Sequence, residues 1–379
     1  MYFDRMRFIA LAVLAAAVGG NAGAEEGKLR TYYIAAEAVE WDYAPEGRDL
    51  MMGADFTDDQ KVFVEPGSDR IGHIYHKVRY IGYTDDRFTE KLPVEDPSLG
   101  ILGPVIRAEV GDTIEVVFHN NSTVPVSIHP HGVFYEKGSE GSMTNDGRSA
   151  ADMADDHVAP GASHTYHWKV PERAGPGPND PSSIVWLYHS HVDEIADTNS
   201  GLVGPIVITA KGQAREDGTP KDVDREEFAL FTVMNENASL FLKENVARLK
   251  DHALIEDSEE GGADPAADFD EEAFEESNLM HSINGYVFGN MPMPKMKVGE
   301  HVRWYVMSLG TEVDLHTPHW HGNTVLIGGH RKDVVELLPA TTVVADMVPD
   351  NPGTWMFHCH VNDHIAAGMT GRYEVDAAN

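Results

Sequence analysis

An all-β chain of two sandwich domains is what the sequence predicts, and three features point to it. Short runs rich in β-branched and aromatic residues recur between Gly, Pro, Asn and Asp, at 30–36, 113–118, 202–209, 227–233, 302–306, 341–347 and 371–375. Brief strands with turn residues between them are the pattern of a β-sandwich. Helical periodicity is scarce, and 238–249 is the best candidate for a helix. Finally, the second half repeats the first, motif for motif. The chain has 379 residues, of which 42% are hydrophobic, enough to fill two cores of ordinary domain size.

At the start, Arg5 and Arg7 precede an apolar run at 8–18 and a small-residue ending, Ala22-Gly23-Ala24. This reads as a cleavable signal peptide over 1–24, too short to span a membrane permanently. It predicts a secreted or periplasmic protein; no Arg-Arg pair supports a twin-arginine route, and no later run approaches membrane length. One cysteine, Cys359, excludes an intrachain disulfide. The formal net charge of −33 argues against a nucleic-acid partner and favours attraction of cations; a salty habitat accounts for it equally. The polar stretch 211–225 reads as the linker between a first domain, 25–212, and a second, 213–379. The second carries an acidic insertion at 251–277, expected to be solvated and mobile, with an apron that concentrates metal cations as the alternative. The Met-Pro-Met-Pro-Lys-Met run at 291–296 reads as packing filler at a turn, with a soft-metal relay as the alternative.

The repeat carries the chemistry. Val110-Gly111-Asp112 leads through a strand to His129-Pro130-His131-Gly132, and Val298-Gly299-Glu300 leads likewise to His319-Trp320-His321-Gly322. Further on, Trp186-Leu187-Tyr188-His189-Ser190-His191 matches Trp355-Met356-Phe357-His358-Cys359-His360. Each half offers two His-x-His pairs, eight imidazoles in all. Along a strand the two histidines of a pair share one face, about 7 Å apart, a spacing that suits ligands of neighbouring metal ions. One such pair is weak testimony, because zinc sites and plain cores contain it; four in a repeated order are strong.

Cys359 adds a second kind of donor. With His316, His364 and Met369 it makes a thiolate, two imidazoles and a weak thioether, the soft set that holds blue copper. On a strand His358 and His360 leave one face and Cys359 the other, so Cys359 can bind one metal while its neighbours reach another. In the first half Val126, Ser190, Ile195 and Leu202 stand at the matching positions of the sequence, and none can hold that copper. Only the second half is expected to bind it.

Together these residues resemble the multicopper oxidases, and more narrowly the ceruloplasmin-like group. The resemblance covers nearly the whole mature chain: TYYIAAEAVEWDYAPEG (31–47), HPHGVFYEKGSEG (129–141), WLYHSHVDEIADTNSGLVGPIVI (186–208), ESNLMHSINGYVFGN (276–290), SLGTEVDLHTPHWHG (308–322) and HCHVNDHIAAGM (358–369). It implies two cupredoxin-like Greek-key domains and four coppers per chain. By resemblance the type 1 copper takes His316, Cys359, His364 and Met369; the type 2 copper takes His129 and His319; the type 3 pair takes His131, His189, His191, His321, His358 and His360. The implied reaction joins one-electron oxidation of a reductant to reduction of O2 to water, with His358, Cys359 and His360 passing electrons inward. Fe(II) is the expected reductant, at Glu276, His281, Glu312 and Asp363. A phenol, in a laccase-like reaction, or Cu(I) is the alternative; a copper nitrite reductase or a copper-binding carrier fits less well, because neither needs eight histidines. The group's cluster lies where two domains of a closed ring of six meet. Two domains per chain therefore imply a homotrimer with clusters shared between subunits, a cluster built within one chain being the alternative.

Overall fold

The computed structural model describes residues 27–67, 69–94, 96–149, 152–249 and 270–378. The expected signal peptide, and the acidic run from 251 to 269, lie outside the described residues. The described residues form four sheets, two in each half, and the halves share one plan. In the first half a sheet runs Ile74–Tyr83, Leu29–Asp42, Thr113–Asn121, Ser163–Lys169, Phe134–Tyr135, and its companion runs Ile106–Glu109, Val203–Thr209, Ser183–His189, His129–Pro130. In the second half the order is Leu279–Ile283, Arg225–Asn235, Val302–Ser308, Thr342–Met347, Val325–Ile327, His330–Lys332, with a companion of Lys295–Lys297, Thr370–Asp376, Gly353–Cys359, Pro318–Trp320. Even the one parallel pair of the larger sheet recurs: Leu29–Asp42 beside Thr113–Asn121, and Arg225–Asn235 beside Val302–Ser308.

Each pair of sheets closes on an apolar layer. Ile34, Val116 and Trp168 of one sheet meet Ile106, Tyr188 and Ile206 of the other; in the second half Val306 and Ala345 meet Phe357, Met369 and Tyr373. Trp304 is 1% exposed and packs against Trp320, Phe357 and Tyr373. Truncating a tryptophan so enclosed costs about 3–5 kcal/mol. Met291 and Met296 belong to this core, the filler role expected of that run.

Two further apolar layers join the halves. Leu99, Leu187 and Val207 pack on Phe228, Leu230 and Tyr305, while Tyr43, Tyr75 and Ile101 pack on Met234, Met280 and Phe288. Between them Lys77 of the first half pairs with Glu236 of the second, both fully buried, and Tyr43 donates its hydroxyl to the same carboxylate at 2.5 Å. Removing one partner of such a pair would cost about 3–5 kcal/mol, because the other charge would stay buried alone.

Three expectations need correction. The strand at 30–36 extends to Asp42, since Glu37 to Asp42 pair with Ile74–Arg79. The helix expected at 238–249 is confined to Leu242–Val246: Ser239 is extended, its hydroxyl held near that of Ser200, so the helix cannot begin earlier. The end of the acidic insertion is ordered, forming the helix Glu271–Ser277, which Asp270 caps and Phe274 anchors in the core between the halves.

Glu227 supplies a test of the buried layer. Among the described residues neither of its carboxylate oxygens has a hydrogen-bond partner, and Arg225 stands 3.7 Å away. Burial, with Asp96 nearby, pushes its carboxyl up to about 8. The folded state therefore keeps a proton that the unfolded chain, with its ordinary value of 4.5, has already lost. Its contribution to stability is full below that value and gone above about 8. Thermal unfolding of the wild type should fall between about pH 5 and pH 9 more steeply than that of Glu227→Gln; parallel curves would refute this reading.

Candidate metal centres

The second half sets two donor groups back to back on one strand. In Gly353–Cys359 the register opposite Pro318–Trp320 puts Pro318 across from Cys359 and His319 across from His358. Successive side chains leave opposite faces, so Cys359 enters the core while His358 joins His319 and His321 on the other side. The Cys359 Sγ lies 3.5 Å from His364 Nδ1 and 3.9 Å from His316 Nδ1, and the two nitrogens are 3.1 Å apart. All three side chains are buried. Met369 is fully buried in the same core; its N–H donates to His364 O, and its carbonyl accepts from Cys359 N.

Charge and hydrogen bonding suit a metal here. Burial opposes ionisation of the Cys359 thiol, yet hydrogen bonds from His316, His364 and the Thr317 N–H bring it down to about 6. His316 donates from Nε2 to Asp314 Oδ1 at 3.0 Å, which leaves Nδ1 facing the thiol. Asp314 is itself buried and fixed by the N–H groups of Val233 and Thr311. The sequence reading missed it: one carboxylate in so acidic a chain carries no signal until its burial is known.

On the opposite face, His321 Nε2 and His358 Nε2 stand 3.0 Å apart, and His358 Nδ1 donates to Cys359 O at 2.6 Å. His360 is exposed, its ring 5.5 Å from that of His319. The first half reproduces this arrangement. His129 lies across from His189, His131 Nε2 is 3.0 Å from His189 Nε2, and His191 lies 5.2 Å from His129, ring to ring. His129 Nδ1 donates to Glu140 O, and His191 Nδ1 meets Ser142 Oγ. Burial lowers His131, His189 and His358 to about 4, so each is neutral at pH 7 and has a lone pair to offer. His319 Nδ1 is buried without a hydrogen-bond partner among the described residues, an atom that a metal ion would satisfy. The donors present fit copper: a buried thiol with two imidazoles on one face of the strand, neutral imidazoles on the other. Among the described residues, every ring contact of the eight histidines stays within its own half.

The motifs that read HPHG and HWHG close on glycine for a steric reason. Gly132 and Gly322 have φ of +73° and +74°. A Cβ on them would come 2.2 Å from Trp186 and 2.3 Å from Trp355, tryptophans inside the matching strands Ser183–His189 and Gly353–Cys359. Any side chain there would displace the strand that leads to the next two histidines.

Family models described as multicopper oxidase match residues 99–213 and 264–379. The chain belongs to the multicopper oxidases. Among curated relatives of this multicopper oxidase, ferroxidase HEPHL1 of Homo sapiens is 44% identical over 92% of the chain, which covers 29% of that protein. Hephaestin of Mus musculus is 42% identical over 93% of the chain and 30% of its own length. Ceruloplasmin of Rattus norvegicus is 43% identical over 92% of the chain and 32% of its own length. The chain thus spans about a third of the length of these relatives. Among solved structures, one described as a multicopper oxidase is 20% identical with a TM-score of 0.55, over 92% of this chain and 89% of that one. A blue copper oxidase from Nitrosomonas europaea is 18% identical with a TM-score of 0.54, over 92% and 86%. At these identities the two share the fold.

Of the four residues expected to hold Fe(II), His281 is buried and the other three are exposed. Among the described residues no three of them bring donor atoms within 4.8 Å of one another. His281 is buried, its ring 5.1 Å from that of His364; its Nδ1 donates to Leu279 O, which leaves Nε2 free. Glu276, near the end of the helix Glu271–Ser277, is exposed, as are Glu312 and Asp363. The match of His364 with Ile195 is also corrected. Met369 N donates to His364 O, and Leu202 N donates to Asp197 O, so Asp197 is the structural counterpart of His364, while Ile195 is 64% exposed.

The Cys359 cluster gives a direct test. Copper-loaded wild type should carry an intense blue band, and Cys359→Ser should lose it without loss of the fold, as read by absorbance and circular dichroism. A serine variant that stays blue would sink the assignment.

Proposed function

We propose that this chain is a multicopper ferroxidase, oxidising Fe(II) one electron at a time and reducing O2 to water. The observation that carries the reading is the end of the strand Gly353–Cys359, where the thiol of Cys359 and the imidazole of His358 belong to two donor groups on opposite faces. His316, Cys359, His364 and Met369 would hold a type 1 copper, His129 and His319 a type 2 copper, and His131, His189, His191, His321, His358 and His360 a type 3 pair. Bound there, copper supplies a one-electron acceptor at the blue position and a store for the four electrons that O2 takes to become water. The protein's share is orientation: Asp314 aims His316 at the thiol, and the His358 Nδ1–H bond to Cys359 O fixes that ring toward His321. The apolar core around Cys359 keeps water from the thiol.

Eight histidines in two separate quartets within the chain support assembly. A homotrimer, the second domain (213–379) of one subunit meeting the first (25–212) of the next, would bring complementary quartets together. The apolar run at 8–18 supports export to the periplasm or the medium, and among the described residues no helix is long and apolar enough to cross a membrane.

Iron as substrate is supported by relatives described as ferroxidases and by the His281–His364 ring contact, which puts a candidate iron ligand one step from a blue-copper ligand. Glu276 and Asp363, with Glu312 from this or a neighbouring subunit, would add hard oxygen donors that favour Fe(III) over Fe(II) and so drive the electron inward. Both Glu276 and Asp363 are exposed, so replacing them leaves the core untouched. The double change to alanine should cut Fe(II)-driven oxygen uptake at least about tenfold, the lower end for lost metal-site partners, while uptake with a bulky organic reductant stays near wild type. Equal loss of both, or unchanged iron oxidation, would refute the iron site and favour a phenol or Cu(I) as reductant.

A further inference from the structure

The first half keeps the frame of the blue-copper site and fills it differently. In the second half Thr317 N donates to Cys359 Sγ at 3.4 Å; in the first, Ser127 N donates to Ser190 Oγ at 3.0 Å. Cys359 N donates to Met369 O, and Ser190 N to Leu202 O. Where His364 enters from the short helix Asn362–Ala366, Asp197 enters from the short helix Glu194–Asn199. Its Oδ2 accepts from Ser190 Oγ at 2.6 Å and from the N–H groups of Val192 and Asp193, both at 3.1 Å. Asp197 is 1% exposed and its Oδ1 has no hydrogen-bond partner among the described residues, while Ser127 and Ser190 are fully buried.

Burying a carboxylate this deeply is costly unless hydrogen bonds offset it. All three bonds found go to one short stretch, residues 190, 192 and 193, which flanks His191. From Ser190 the network continues to Ser127, whose Oγ accepts from His191 N at 3.0 Å and donates to Gly141 O at 2.6 Å. Gly141 lies between the two residues that bond the histidine rings: Glu140 O accepts from His129 Nδ1, and Ser142 Oγ meets His191 Nδ1. One buried carboxylate thus sits at the root of the bonds that fix both rings.

We propose that Asp197 is a positioning residue that takes over, in the first half, the organising role of the blue-copper site, holding His129 and His191 in place for the cluster coppers. The inference rests on the oxidase reading above. Asp197 touches no cluster histidine and acts through Ser190 and Ser127.

The test compares copper-loaded wild type, Asp197→Ala and Asp197→Asn as full-length assemblies, matched for size and circular dichroism. Type 1 copper is read from the blue band, type 2 from electron paramagnetic resonance and type 3 from near-ultraviolet absorbance, during titration with a chelator. Asp197→Ala should keep the blue band at wild-type strength while cluster copper is held about 10–100-fold less tightly, the usual loss when a partner of a metal ligand is removed. Asp197→Asn, which still accepts the Ser190 hydroxyl, should recover most of that loss. Should Asp197→Ala fail to fold, Ser190→Ala keeps the Val192 and Asp193 bonds and should show a smaller shift in the same direction. Folded Asp197→Ala, or Ser190→Ala in its place, that holds cluster copper as tightly as wild type overturns the proposal, and so does parallel loss of the blue band, which would mark a merely structural role. Wild type that binds blue copper and nothing more would overturn the oxidase reading and this inference with it; an intact wild-type cluster with unaffected variants overturns this inference alone.

Discussion

Side chains on an extended strand alternate between its two faces, and at His358-Cys359-His360 the whole arrangement depends on that alternation. A slip of one residue would turn Cys359 out of the core and drive His358 and His360 into it. The register is pinned at several points. His319 and Trp320 pair with His358 and Phe357, Thr370 pairs with His358 on the other edge, and Trp355 lies against Gly322. Phe357 and Cys359 are both buried in the apolar core, so a slip would also expose an aromatic ring.

The same frame is used twice and diverges at few positions. In both halves a His-x-His-Gly segment pairs with a strand that carries a tryptophan, and in both a pair of Nε2 atoms faces across at 3.0 Å. The second half sets its cysteine beside His316 and His364; the first bonds its serine to Asp197. In the first half a carboxylate with three hydrogen bonds ties the strand to the following short helix, at the place where the second half offers the soft donors proposed to hold copper. The apolar layers between the halves, with Lys77 and Glu236 buried among them, join the two frames. The quartets they carry share no ring contact, which is why assembly enters the functional proposal.

Much of this was legible in the sequence because its signals are local. Runs such as Val302–Ser308 are apolar and β-branched enough to read as strands, and the eight histidines announce themselves by spacing. The strand Ile74–Tyr83 escaped notice because His76, Lys77 and Arg79 break its apolar pattern; Lys77 is tolerated inside only because Glu236, 159 residues away, meets it there. Asp314 and Asp197 were invisible for a related reason. Their roles come from burial and from partners distant in the chain, and nothing distinguishes them locally from the solvated acids around them. The correspondence of Ile195 with His364 failed because the first half has two more residues between Ser190 and Leu202 than lie between Cys359 and Met369, so counting from the cysteine lands on the solvent side of the helix.

The central claim is that a working cluster needs the first-half quartet of one chain and the second-half quartet of another. His129→Ala and His319→Ala each remove one histidine, from different quartets, and each alone should abolish oxygen uptake. The most direct measurement is oxygen uptake by mixed assemblies of the two, loaded with copper and verified to contain both chains. Sharing between subunits predicts recovery, since the intact quartet of one variant can meet the intact quartet of the other. Verified mixed assemblies without any recovery would contradict it, because a cluster built within one chain would be broken in both.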